Sequence, residues 1–170
     1  MSEAASATPG EMADITIGTL ADLGEVMQTM DAAFDPSFGE AWTRSQCAGI
    51  MALPGVWLLL ARRGGKPVGF ALARSVVDEA ELLLLAVQPE QRRAGIGAAL
   101  LCEVVTGART RGAIRLHLEM RENNPAGPLY AAAGFQEVGR RHRYYRGKDG
   151  RSFDAITLAC PLDQQAMSES

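Results

Sequence analysis

The sequence predicts a single α/β domain built around a mixed sheet of about seven strands flanked by about four helices. In some segments the apolar residues recur every three or four positions, as on a helix, whereas others are continuous or alternating apolar runs, as in strands. With 170 residues, the chain is long enough for one domain with its own core. Apolar residues make up 47% of it and charged residues 22%, which is typical of globular proteins.

The predicted elements follow in the order β-α-α-β-β-β-α-β-α-β-β. The predicted strands cover residues 14–17, 56–61, 68–77, 81–87, 114–120, 136–145 and 153–158. The predicted helices cover residues 20–34, 44–53, 96–111 and 125–133.

The predicted helices begin and end at recognisable residues. Residues 35–39 contain Pro and Gly and end the first helix, and Thr43 caps the start of the second. Gly112 and Gly134 end the third and fourth helices. The third helix has an apolar face that consists of Ile96, Leu100, Val104 and Ala108.

The predicted strands show two patterns. Residues 82–87 are a continuous apolar run, which is typical of a central strand covered on both faces. Residues 114–120 alternate instead, so that His117 and Glu119 share the polar side. A glycine-containing turn at residues 63–67 predicts a hairpin, and the three strands after the second helix therefore form a meander.

The two ends of the chain differ in composition from the middle. Residues 1–13 are rich in Ala and Ser, and residues 163–170 are polar, so we expect flexible segments around a domain at residues 14–162. The first segment lacks the basic start and apolar run of a signal peptide. No apolar stretch approaches the ~18 residues of a membrane span. We therefore expect a cytoplasmic protein.

Charge and cysteine content exclude further classes. The net charge is −3, so the chain lacks the basic surface of a nucleic-acid-binding protein. Cys47, Cys102 and Cys160 are far apart, and their spacing matches neither a zinc site nor a disulfide framework. We expect no metal, and we expect the cysteines to be small apolar side chains in the core.

The segment between the apolar strand and the third helix predicts a phosphate site. A helix begins with unpaired N–H groups at the positive end of its dipole, and both favour an anion there. Gly95 and Gly97 allow close approach to the backbone, while Arg92 and Arg93 add charge. A Walker A loop is excluded because Gly-Lys-[Ser/Thr] is absent, and a dinucleotide fingerprint because Leu100 replaces its third Gly. The predicted loop consists of Arg92, Arg93, Ala94, Gly95, Ile96, Gly97 and Ala98.

The loop fits the pattern [Gln/Arg]-x-x-Gly-x-[Gly/Ala], and its surroundings resemble the GNAT family of N-acetyltransferases over residues 15–162. A second matching segment is Asn123-x-x-Ala126-x-x-Leu129-Tyr130-x-x-x-Gly134-Phe135. The resemblance implies a GNAT-like acyl-CoA N-acyltransferase fold with acetyl-CoA bound at the loop. It also implies that the strand before the loop splays from the next strand and that the pantetheine arm fills the gap. The groups that would contact this arm are the backbone of Leu85, Ala86 and Val87, together with Asn123, which otherwise caps the short helix.

Acetyl transfer to an amine requires a base near the amine and an acid near the departing sulfur. Glu119 is the candidate base, because a carboxylate withdrawn from water at the end of an interior strand binds a proton more readily. Tyr130 is the candidate acid, because a phenol holds its proton at neutral pH. His117 is a possible helper of Glu119. From the residues alone, a solvated or Arg121-paired glutamate and a core tyrosine remain alternatives.

Further strings resemble the ribosomal-protein-alanine N-acetyltransferases, which acetylate the N-terminal amine of a small-subunit ribosomal protein. These strings are Leu85-Ala86-Val87-x-Pro89, Leu118-Glu119-x-Arg121, Arg141 and Tyr144-Tyr145. In that subfamily the positions matching Glu119 and Tyr130 are base and acid, and the resemblance implies the same roles here. The segment between them is one residue shorter than usual, so either Asn123 or Asn124 matches the subfamily's asparagine.

The acceptor is therefore expected to be a protein N-terminus, held between walls at residues 34–42 and 144–148. We expect neither nucleic acid nor membrane as a partner. Two alternatives stay open at this point. One is an acetyltransferase for a free small amine, and the other is a CoA-binding module without turnover.

Overall fold

The computed structural model describes residues 12–162. The predicted flexible segments, residues 1–13 and 163–170, lie outside the described residues except for Met12 and Ala13. The strands are β1 (Asp14–Gly18), β2 (Val56–Arg63), β3 (Lys66–Val76), β4 (Glu79–Val87), β5 (Arg115–Arg121), β6 (Gln136–Arg146) and β7 (Ser152–Pro161). The helices are α1 (Leu23–Ala33), α2 (Arg44–Met51), α3 (Ile96–Thr110) and α4 (Gly127–Ala132).

The strands form one seven-stranded sheet in the order β1-β2-β3-β4-β5-β7-β6. Neighbouring strands are antiparallel except β4 and β5, which are parallel and are connected through α3. The predicted mixed sheet, element order and β2–β4 meander are confirmed. β7 lies between β5 and β6, so the last hairpin folds back towards the middle of the sheet.

The ends of the helices follow from local hydrogen bonds. Thr43 caps α2, because its hydroxyl accepts from the Gln46 N–H at 3.2 Å and the Gln46 side chain accepts from the Thr43 N–H at 2.8 Å. Gly112 ends α3 with a φ of 84°. α4 begins at Gly127, two residues later than predicted. Pro128 then falls in its first turn, where its missing N–H removes no helical hydrogen bond.

The core lies on both faces of the sheet. One face packs against α3, whose predicted apolar side is buried at Leu100, Val104 and Ala108. The other face packs against α1 and α2 and includes Met30 and Cys47. Within residues 12–162, no helix combines the length and the apolar character needed to cross a membrane.

The three cysteines do not all behave as predicted. Cys47 is buried and Cys160 is partly buried, as expected of small apolar side chains. The prediction is wrong for Cys102, which is exposed. Its position on α3 falls between the buried residues Leu101 and Val104 but outside the stripe that faces the sheet.

The sheet opens between its two central strands. β4 and β5 pair only over residues 79–81 and 115–117. Beyond these positions β4 pairs only with β3, and β5 only with β7. The C-terminal halves of β4 and β5 therefore separate, and a gap interrupts the sheet at the point where the resemblance implies one.

Candidate active site

The gap between β4 and β5 opens into a cavity of about 390 Å³. β4 contributes residues 82–85 to its wall, and β5 contributes residues 118–121. Glu119 and Tyr130, the candidate base and acid, both line this cavity. The two expected acceptor walls contribute Phe34, Gly39, Glu40, Ala41, Trp42, Tyr144 and Tyr145.

The backbone of β4 has no partner among the described strands on the side of the gap at alternate residues. The Gln88 N–H donates to the Val68 carbonyl at 2.8 Å, and hydrogen-bonded pairs alternate along an antiparallel ladder. Ala86 is therefore bonded towards β3, whereas Leu85 and Val87 direct their N–H and C=O groups into the gap. Of the three predicted backbone contacts, Leu85 and Val87 have the orientation that an extended ligand arm requires.

The predicted phosphate loop leads into the first turn of α3, where backbone N–H groups have no hydrogen-bond acceptor among the described residues. Gly95 adopts a φ of 80° directly before α3, and Arg93 adopts a φ of 68°. Within residues 12–162, no acceptor is bonded to the N–H groups of Ile96, Gly97 and Ala98. These three donors and the helix dipole can hold the pyrophosphate of acetyl-CoA. The left-handed backbone at Arg93 is the kind of strain that clusters at binding sites.

The two loop glycines are needed for different reasons. A Cβ on Gly95 would meet nothing within 4 Å, so its role is to supply the left-handed backbone. A Cβ on Gly97 would lie 3.3 Å from the Leu129 side chain and 3.8 Å from that of Val87. Because Gly97 has no side chain, the narrow space between the end of β4 and α4 stays open.

The loop arginines also differ. The Arg92 guanidinium donates to the Ala33 carbonyl at 2.8 Å and to the Val87 carbonyl at 3.3 Å. Arg92 thereby holds the loop against the end of α1. The side chain of Arg93 is exposed and forms no ion pair with the described residues, so its charge is available to a phosphate.

Glu119 lies at the acceptor end of the cavity and is only partly withdrawn from water. Its side chain is 28% exposed, and its carboxylate accepts a hydrogen bond from the Arg141 guanidinium. This hydrogen bond raises the pKa of Arg141. The deep burial expected for Glu119 is therefore absent, because its strand ends beside the open cavity and a cation covers the carboxylate.

Tyr130 has the opposite environment. It is 6% exposed, and its ring packs edge-on against Phe135 with centroids 5.8 Å apart. Burial raises the pKa of Tyr130 to about 12. Among residues 12–162, no group is hydrogen-bonded to its hydroxyl, which is free to donate to a ligand in the cavity.

His117 does not contact Glu119 as a helper would. Its two ring nitrogens face Glu79 at 3.6 Å and Glu81 at 3.8 Å, in the paired part of β4 and β5. Its place is therefore at the closed end of the gap. Within the described part of the chain, no group of three or more His, Cys, Asp or Glu side chains is arranged to hold a metal ion.

The two asparagines differ in backbone conformation and in contacts. Asn123 adopts a left-handed φ of 63° and is exposed. The Asn124 side chain accepts from the Ala126 N–H at 2.9 Å and lines the cavity. The prediction that Asn123 caps the short helix is wrong, because the N-cap of α4 is Ala126 and no side chain of the described region caps the helix start.

Sequence reasoning missed a buried ion pair beside the acceptor site. Arg121 and Glu40 are 2.7 Å apart, with only 8% and 18% of their side chains exposed. The Arg121 guanidinium also lies over the Phe38 ring at 3.8 Å and near the Phe153 ring at 5.2 Å. Arg121 thus ties the loop before α2 to the end of β5 and is not the partner of Glu119.

The arrangement of the site is suited to acyl transfer to an amine. A carboxylate that can accept a proton and a neutral phenol that can donate one share a cavity. The cavity continues from a gap with free backbone groups and lies near a loop with free N–H donors. The residues present therefore fit the acetyl-CoA that the sequence predicts.

Comparison of the sequence with known proteins agrees with this geometry. The acetyltransferase (GNAT) family matches residues 23–135. The ribosomal protein bS18-alanine N-acetyltransferase of Escherichia coli (strain K12) is 42% identical over 101 residues, which are 59% of this chain and 68% of the relative. The N-alpha-acetyltransferase RimI of Mycobacterium tuberculosis is 43% identical over 91 residues, covering 51% of this chain and 56% of the relative.

Similar solved structures have the same fold. The crystal structure of the ribosomal-protein-S18-alanine N-acetyltransferase from Escherichia coli matches with a TM-score of 0.82 and 31% identity, covering 94% of this chain and 99% of that one. A GNAT superfamily phosphinothricin acetyltransferase from Sinorhizobium meliloti, in complex with AcCoA, matches with a TM-score of 0.76 and 21% identity, covering 94% of both chains. The family match includes the loop, the gap and both candidate catalytic residues. This chain therefore belongs to the acetyltransferase (GNAT) family and is an acetyl-CoA-dependent N-acetyltransferase.

Proposed function

We propose that the chain acetylates the N-terminal α-amine of a protein that begins with alanine, with Glu119 as base and Tyr130 as acid. The observation that carries the proposal is that both side chains line one cavity where β4 and β5 separate. The acceptor class is supported by the relatives, several of which are named for alanine acetylation of ribosomal protein bS18. We therefore propose that this ribosomal protein is the acceptor.

The acetyl donor, acetyl-CoA, occupies the gap between β4 and β5 in this proposal. Acetyl-CoA supplies the acetyl group as a thioester. The N–H groups of Ile96, Gly97 and Ala98, with the Arg93 side chain, bind its pyrophosphate. The backbone groups of Leu85 and Val87 bind the pantetheine arm as a neighbouring strand would. Asn124, rather than Asn123, takes the place next to this arm.

Each candidate catalytic residue then has one task. Glu119 accepts the proton that the α-ammonium must lose before its nitrogen can attack. Tyr130 donates its proton to the departing thiolate. Because the pKa of Tyr130 is raised to about 12 by burial, its proton is present throughout the neutral range. The acid is therefore protonated across the neutral range in which the amine reacts.

The acceptor backbone lies between the two aromatic walls of the cavity. Trp42 forms one side, and Tyr144 and Tyr145 form the other. Aromatic rings with polar tips can pack against a peptide and also hydrogen-bond to it. This arrangement favours a peptide over a small amine, which would leave the walls without contacts.

A direct test compares acceptors. The protein is mixed with acetyl-CoA and a short peptide beginning with alanine, and peptide mass and thiol release are followed. A peptide with a blocked N-terminus and the free polyamine spermidine are run beside it. We expect one acetyl group on the free N-terminus only. Acetylation of spermidine but not of the peptide would contradict the acceptor class while leaving the acetyltransferase activity intact.

The role of Glu119 is tested by Glu119→Gln, which keeps the shape of the side chain but cannot accept the proton. General-base catalysis contributes about 10²- to 10⁴-fold, so we expect kcat to fall by at least about 100-fold at neutral pH. Binding of acetyl-CoA, measured by calorimetry, should not change. Glu103→Gln on the exposed side of α3 is the matched control. If kcat of Glu119→Gln stays within threefold of the control, Glu119 is not the base.

A further inference from the structure

Arg141 is hydrogen-bonded to Oε2 of Glu119, the proposed base. Its guanidinium donates to the Glu119 carboxylate and lies over the Tyr144 ring, 4.0 Å from the ring centroid. Glu119, Tyr144 and the neighbouring Tyr145 all line the acceptor end of the cavity. An acceptor amine that binds this carboxylate oxygen, Oε2, therefore has to replace Arg141.

The backbone near Arg141 is irregular on one side. β6 pairs with β7 at Arg141 and again at Tyr145, but residues 142–144 are left out of the ladder. Arg143 within this interruption has a left-handed φ of 52°. Arg141 is thus the last paired residue before a β-bulge, and bulges characteristically redirect side chains beside active sites.

The ion pair between Arg141 and Glu119 is also more exposed than the Arg121–Glu40 pair at the same cavity. The Arg141 side chain is 56% exposed, whereas both members of the Arg121–Glu40 pair are largely buried. Exposed ion pairs contribute little to stability because water competes for both partners, whereas breaking a buried pair is costly. Arg141 can therefore leave Glu119 cheaply, while Arg121 stays fixed.

We propose that Arg141 is a displaceable counter-ion of Glu119 that the acceptor's α-ammonium replaces on binding. The inference rests on the proposed function, because it assumes that Glu119 receives the acceptor amine. The exchange substitutes one cation for another, so the carboxylate remains paired throughout. Arg141 then keeps its contact with Tyr144 at the edge of the cavity.

This exchange makes Arg141 a residue that tunes the affinity for the acceptor amine. An acceptor with a positively charged amine gains the contact that Arg141 gives up. A peptide without an amine at its N-terminus gains nothing from Glu119 and binds with Arg141 still in place. Glu119 thus selects for a charged N-terminus, and competition from Arg141 lowers the affinity for such acceptors before any chemistry occurs.

The proposal predicts that Arg141→Gln strengthens acceptor binding. We expect the Kd of an alanine-starting peptide, measured by calorimetry with CoA present to prevent turnover, to fall about three- to fivefold, in keeping with the loss of one exposed competing ion pair. The KM for the peptide should fall similarly. Arg141→Lys keeps a competing cation and should stay closer to wild type.

Two controls separate this exchange from a general effect of charge. Arg143→Gln removes the same charge from the same strand, and the Arg143 side chain has no ion pair with the described residues. It should leave the peptide Kd unchanged. A peptide whose N-terminal amine is replaced by hydrogen should bind wild type and Arg141→Gln equally.

Three outcomes overturn the proposal. The first is an unchanged or higher peptide Kd in Arg141→Gln. The second is an equal fall in peptide Kd in Arg143→Gln. The third is a fall in kcat at constant KM in Arg141→Gln, which would make Arg141 a positioning residue for Glu119. If wild type acetylates no peptide, the proposed acceptor class fails instead. The same titrations are then made with the small amine that wild type does acetylate, and a lower Kd in Arg141→Gln alone would support the exchange.

Discussion

Glu119 and Tyr130 line the same cavity but differ in their exposure to solvent, and this difference suits their proposed roles. Tyr130 is buried against Phe135, which keeps its proton in place. Glu119 is partly exposed and paired with a cation. A base must exchange its proton with solvent after each turnover, whereas an acid must not lose its proton before the thiolate forms. The more exposed carboxylate and the buried phenol meet these two requirements.

The role of Tyr130 is tested by Tyr130→Phe, which removes the hydroxyl and keeps the ring. Because general-acid catalysis contributes about 10²- to 10⁴-fold, we expect kcat to fall by at least about 100-fold. The thermal midpoint should change little, since the ring packing on Phe135 is kept. Phe135→Leu is the control for packing. It should lower the thermal midpoint more than Tyr130→Phe does, and it should lower kcat less. A Tyr130→Phe enzyme with wild-type kcat would contradict the acid role.

The same substitution has a consequence for stability at alkaline pH. The pKa of Tyr130 is near 10 in the unfolded chain and is raised to about 12 in the folded chain by burial. The unfolded state therefore binds fewer protons between these values, and stability falls as pH rises from about 10 to 12. Tyr130→Phe lacks this loss. Its free energy of unfolding in urea should therefore decline less steeply than that of wild type over this range.

The family resemblance predicted roles for Glu119 and Tyr130, but long-range contacts decided how the charged residues around the site are paired. From the residues alone, a solvated or paired glutamate and a core tyrosine were still open. Arg141 lies 22 residues from Glu119, and Glu40 lies 81 residues from Arg121, so neither pair has a sequence signal. Such pairs exist only because the sheet order brings β6, β5 and the loop before α2 together.

The helices and strands show the same division between local and long-range causes. The limits of α2 and α3 were predictable because Thr43 and Gly112 act through neighbouring backbone groups. The start of α4 was less predictable, because it depends on the turn at Asn123 and on the contacts of Asn124. The position of β7 between β5 and β6 has no local signal, since both neighbours present suitable pairing edges.

The start of α3 yields a paired prediction for its two glycines. Gly97→Ala places a Cβ between Leu129 and Val87 without straining the backbone, so it should weaken acetyl-CoA binding and leave stability unchanged or slightly higher. Gly95→Ala forces a side chain into a left-handed backbone, which costs about 1–2 kcal/mol. Urea unfolding and acetyl-CoA calorimetry distinguish them. If Gly97→Ala binds acetyl-CoA as wild type does, the ligand does not pass between β4 and α4.

The whole molecule consists of two parts of one sheet that are joined over a short distance. β1–β4 and β5–β7 meet only at the three residues in each strand where β4 and β5 pair. The remaining backbone groups of β4 that face the gap, including those of Leu85 and Val87, have no strand partner there. A ligand arm in the gap therefore extends the pairing between the two parts.

This architecture predicts that acetyl-CoA stabilises the protein mainly by bridging the gap. At a concentration 100 times its Kd, a ligand that binds only the folded state adds about 2.7 kcal/mol, which corresponds to a rise of about 5–10 °C in the thermal midpoint for a chain of this size. Hydrogen exchange should slow at Leu85 and Val87. Adenosine 3′,5′-bisphosphate, which lacks the pantetheine arm, is the control and should slow exchange only near the start of α3. Equal protection of β4 by both ligands would mean that the loop, and not the bridged gap, transmits the stabilisation.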